Sequence, residues 1–81
     1  MTKIIFSELF VESLLLYFKW VSKKSGIELS HDQELQAVRH VLDNITEQTY
    51  MTLNKELEDN DGNLSPDFQS MANESLLAIL E

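Results

Sequence analysis

Hydrophobic positions crowd the start of this chain and thin out after it. Between Ile4 and Val21 stand Ile4, Ile5, Phe6, Leu9, Phe10, Val11, Leu14, Leu15, Leu16, Tyr17, Phe18, Trp20 and Val21. Wound as a helix at about 100° per residue, the charged positions Glu8, Glu12, Lys19 and Lys23 fall on one narrow arc. Apolar side chains take most of the remaining circumference. A surface helix carries one apolar stripe, whereas a helix apolar nearly all round expects burial nearly all round. The pattern predicts a first helix capped by Thr2 and running to about Ser25. Lys23 and Lys24 suit its negative end, and Gly26 supplies the left-handed residue that closes many helices.

Beyond a short apolar link from Ile27 to Leu29, Ser30 opens a second helix. Gln33 completes a capping-box pattern and Asp32 lies in the favourable first turn. Leu35, Val38, Leu42, Ile45, Thr49, Leu53 and Leu57 form its stripe, spaced by threes and fours. No Gly or Pro interrupts it before Glu58, so the pattern predicts one helix of ~28 residues, ~42 Å long. Its weak place is Thr46 to Thr52, where three threonines lower helix propensity and Thr49 interrupts the stripe. A kink or break is expected there if anywhere.

Asp59-Asn60-Asp61-Gly62-Asn63 is a polar loop by its turn chemistry. Ser65 and Pro66 restart a helix as N-cap and first residue. Phe68, Met71, Ala72, Leu76, Ile79 and Leu80 give that last helix its apolar stripe. No β-like alternation of useful length and no internal repeat is present. The expected architecture is all-α: one domain over residues 1–81, built as helix, long helix and shorter C-terminal helix.

Phe6, Phe10, Leu14, Tyr17 and Val21 lie opposite the charged arc of the first helix and are the expected intramolecular core. Two flanks remain, Leu9, Leu16 and Trp20 on one side and Val11, Leu15 and Phe18 on the other. A chain of 81 residues buries a smaller share of its surface than a larger domain does, and without cysteine it has no disulfide to help. One flank is therefore expected to meet a second copy or a protein partner. Trp20 is the best anchor, because Trp is enriched among residues that dominate interfaces. A symmetric dimer about the first helix is the commonest solution to such a surface.

Charge adds an asymmetry. The chain holds 14 acidic and 6 basic residues, a net charge of −8. Through Leu42 the acids (Glu8, Glu12, Glu28, Asp32, Glu34) and the bases (Lys3, Lys19, Lys23, Lys24, Arg39) cancel. From Asp43 onward Lys55 alone stands against all the remaining acids, so the net charge belongs to the second half. That field disfavours nucleic acid and anionic membrane and favours basic partners. Asp43, Glu47, Glu56, Glu58, Asp59 and Asp61 form the candidate acidic surface. Glu8, Glu12 and Lys19 interrupt the apolar run, which argues against a secretory signal or a membrane-inserted helix. The expected location is the cytoplasm.

Catalytic patterns are absent. Asp59, Asp61 and Asn63 match the first three ligands of an EF-hand loop, but Leu64 stands at the required Gly and Ser70 at the bidentate Glu. His40, Asp43 and Glu47 share a face of a continuous second helix, yet no other element offers a convergent ligand. There is no G-x-S-x-G elbow, and two glycines cannot build a phosphate-cradling loop. No metal or cofactor is expected, and direct nucleic-acid binding lacks a basic stripe. The sequence reads as a small acidic, non-enzymatic interaction module, a regulator or adaptor. The alternative is an acidic inhibitor of a nuclease or nucleic-acid-binding protein, acting as a DNA mimic or immunity protein.

Overall fold

A computed structural model describes residues 4–81 and contains four helices: α1 (Glu8–Ser25), α2 (His31–Asn44), α3 (Glu47–Asp59) and α4 (Pro66–Leu80). The described residues form no strand. The all-α expectation holds, and the three-helix count is corrected to four.

The extra helix arises at Ile45-Thr46. Both residues are extended, at φ −94° and ψ 141° for Ile45 and φ −83° and ψ 158° for Thr46. Thr46 turns its hydroxyl onto the backbone, its Oγ1 accepting from the Thr49 amide at 3.2 Å. This competition between a short polar side chain and the helical ladder is what makes Thr an N-cap. Glu47 follows in the first turn, where its charge suits the helix dipole. The break leaves Ile45 buried and divides the long stripe into Ala37, Val38 and Val41 on α2 and Tyr50, Leu53 and Leu57 on α3. Leu35, expected on that stripe, is exposed.

The start of α1 also differs from expectation. Thr2 lies outside the described residues, and α1 is capped by Ser7, whose Oγ accepts from the Phe10 amide at 3.2 Å. Ser7 is tied across the fold as well. Its amide donates to the Tyr50 hydroxyl at 2.8 Å and its hydroxyl donates to Asn54 Oδ1 at 2.7 Å. Phe6, in the extended segment before the helix, stacks on Phe10 at 5.8 Å and meets Tyr50 edge-on at 4.9 Å. These long-range bonds to α3 fix the rotation of α1 about its own axis.

The other punctuation follows the pattern. Gly26 closes α1 at φ 75°, the Ser30–Gln33 capping box is complete, and Ser65 and Pro66 open α4. Helix α4 packs chiefly on α2, which also makes the largest contact with α1. Phe10, Leu14, Phe18, Val41, Leu57 and Phe68 are the largest fully buried side chains. Phe10 is the hub, stacked on Phe68 at 4.9 Å and edge-on to Tyr50 at 4.7 Å.

Candidate interaction groove on the first helix

The buried line of α1 is Phe10, Leu14 and Phe18, spaced by fours, while Phe6, Tyr17 and Val21 are half-buried. The core therefore sits further toward the Phe18 side than the expected centre. That rotation separates the two flanks. Phe18 is fully buried, and Val11 and Leu15 are half-buried against the core, so this flank is corrected from a candidate contact to part of the fold. Leu9, Leu16 and Trp20 take the opposite outcome, with 37%, 65% and 53% of their surface exposed.

The exposed flank forms one wall of a groove of about 490 Å³. Its other wall is the α3–α4 loop from Asp61 to Leu64, with Gln69 of α4 at the edge. The loop is held by its own backbone. Gly62 donates to the Leu57 carbonyl at 2.8 Å, Asn63 to the Asn60 carbonyl at 3.1 Å, and the Gln69 side chain to the Leu64 carbonyl at 2.9 Å. Asp61 and Gly62 are left-handed, at φ 54° and 86°. A Cβ at Gly62 would stand 3.5 Å from Ser13 Oγ and 3.6 Å from Leu9 Cδ1, ordinary contact distances, so the loop backbone lies close to α1 and it is the φ of 86° that calls for glycine.

Polar groups hold the groove's aromatic end in place. The Tyr17 hydroxyl donates to Asn73 Oδ1 at 2.8 Å, fixing its ring 6.0 Å from that of Trp20. The Lys24 ammonium lies 4.7 Å from the Trp20 centroid, a cation–π contact. Glu12 and Asp61 put carboxylates on opposite walls. The surface is thus an apolar strip with an ordered indole at one end and acidic margins.

The acidic candidates do not gather into one centre. Asp43, Glu47, Glu58, Asp59 and Asp61 are exposed, whereas Glu56 is half-buried, with an Oε2 that lacks a hydrogen-bond partner. Glu56 lines a second, smaller hollow of about 300 Å³ between α3 and the start of α4. Asp43 forms a loose pair with Arg39 at 3.8 Å, and His40 hydrogen-bonds Ser75 at 2.9 Å. The break at Ile45-Thr46 removes Glu47 from the helix that carries His40 and Asp43. Among the described residues no three His, Cys, Asp or Glu side chains are placed to hold a metal ion. In the α3–α4 loop, Asn60 and Asn63 spend their amides on the Glu56 and Asn60 carbonyls. No helix of the described residues is long and apolar enough to cross a membrane.

Two features of this region were not anticipated from the sequence. One is the loop wall, which depends on the contact between Gly62 and α1, and no local pattern announces that contact. The other is the cross-tie from Ser7, whose cap role was signalled by the Ser7-Glu8 pair ahead of the apolar run. Comparison with protein-family models, curated proteins and solved structures finds no match for this chain.

Proposed function

We propose that this chain is a small non-enzymatic interaction module, a regulator or adaptor, that docks a second copy or a protein partner through the groove beside α1. The observation that carries this reading is the exposure of Leu16 and Trp20 in a chain whose other helices have already been used to cover the opposite flank. Aromatic anchors beside a preformed hollow are where binding energy concentrates. A photo-crosslinking residue placed at Leu16, compared with one at Met51, tests it in the cell of origin. Met51 is also well exposed but lies on α3, away from the groove. A crosslinked product at position 16 and none at 51 is expected. Equal labelling at both sites, or none at either, contradicts the reading.

The alternative is an acidic inhibitor of a nucleic-acid-binding protein. Exposed Glu58, Asp59 and Asp61 in and before the α3–α4 loop are what favour it, since a basic partner would be steered toward them. It predicts salt-sensitive binding that is lost on reversing the charges of Glu56, Glu58, Asp59 and Asp61. Binding that survives those reversals removes it.

A further inference from the structure

Four charged residues border the exposed flank of α1. Glu8 and Glu12 lie in its N-terminal half, Lys19 and Lys23 in its C-terminal half. All four are exposed, and none forms an ion pair among the described residues. Each half repeats one sign at i,i+4, which is mildly repulsive on an isolated helix. The helix dipole accounts for Glu8 at the first position and for Lys23 and Lys24 in the last turn. Its field fades within one turn, so it does not account for Glu12 and Lys19.

Resting on the docking reading above, we infer that the occupant of the groove is a second copy of this chain, its α1 antiparallel to the first. A twofold axis midway between Glu12 and Lys19 along the helix is also midway between Glu8 and Lys23. One register therefore brings both acids opposite both bases, and symmetry repeats the match at the other end. The axis falls between Leu15 and Leu16, at the most exposed apolar residue of the groove. Trp20 then stands opposite Val11 of the second copy and reaches toward its Leu9, about half a turn further along the helix. Lys19 and Lys23 of that copy come to the end of the groove where Asp61 stands on the loop wall, adding a further acid to receive them. A parallel pairing would instead face Glu12 with Glu12 and Lys19 with Lys19. The paired helix face belongs to the half of the chain whose charges cancel, and of the acids of the second half Asp61 is the one that lines the groove.

Sedimentation equilibrium of the full chain, with circular dichroism to check helicity, tests this with exposed substitutions. The wild-type chain is expected to dimerise. Glu12→Lys and Lys19→Glu each replace attraction by repulsion at two symmetric places and weaken self-association about tenfold. Glu12→Lys and Lys19→Glu in one chain restore the dimer, and an equimolar mixture of the two single variants forms a mixed dimer. A wild-type monomer at high micromolar concentration overturns the inference, as do single variants that dimerise like the wild type. A monomer whose position 16 still crosslinks to a foreign protein removes the second copy and keeps the docking reading. A chain that neither associates nor crosslinks removes both.

Discussion

The two flanks of α1 have nearly the same composition and opposite fates. Val11, Leu15 and Phe18 are drawn into the core, whereas Leu9, Leu16 and Trp20 face a groove whose far wall is a polar loop. What distinguishes them is the material the rest of the chain can place alongside. The core side is met by helices with apolar stripes, while on the other side the described residues offer the loop from Asp61 to Leu64 with Gln69 at its edge. Burial in a small domain is set by which elements arrive at a surface, and hydrophobicity of the surface alone does not decide it.

The largest expected contrast is between one residue from each flank. Phe18→Ala empties a fully enclosed site and is expected to cost about 3–5 kcal/mol. Leu16→Ala, on a half-open surface, is expected to change the stability of the isolated chain by less than about 0.5 kcal/mol. Urea denaturation at low protein concentration measures both, and equal losses would erase the distinction.

A smaller effect tests what holds α1 in its rotation. Ser7→Ala removes the helix cap and the bond to Asn54 together, an expected loss of about 1–2 kcal/mol. The same change is expected to increase amide exchange in the first turn of α1 more than in α2. Uniform exchange across both helices would show that the tie to α3 does not set the orientation of the stripe.

Smaller still is the effect at the loop wall. Gly62→Ala places a side chain on a backbone at φ 86° and against Leu9 and Ser13, with an expected cost of about 1 kcal/mol. It is expected to shift the Leu9 methyl resonances and to leave those of Val11 and Leu15 in place. Shifts of equal size on both flanks would mean that the loop does not define one side of the groove.

Much of this arrangement is legible in the residues. Ser30 with Gln33, Ser65 with Pro66, Gly26 and the Asp59–Asn63 loop punctuate the chain locally, and each acts where its own chemistry says it should. The break at Ile45-Thr46 was only half legible. The threonine-rich stretch marks the weakness, but an unbroken spacing of apolar residues across it suggests continuity, and burial of Ile45 at the bend resolves the conflict. The division of α1 into flanks follows from its periodicity. Which flank is free does not, because that depends on the Ser7 bonds to Tyr50 and Asn54, more than forty residues away. The groove was legible as a row of apolar residues and not as a hollow, since its second wall is a loop.

Trp20 is the sole tryptophan of the chain and stands on the proposed interface, so its fluorescence reads the central claim directly. The account predicts that Trp20 emission shifts to shorter wavelength as the protein concentration rises from nanomolar to high micromolar. It also predicts that Leu16→Glu abolishes the shift and leaves the melting temperature at low concentration unchanged. Emission that is independent of concentration, or that shifts identically in the wild type and in Leu16→Glu, would contradict it.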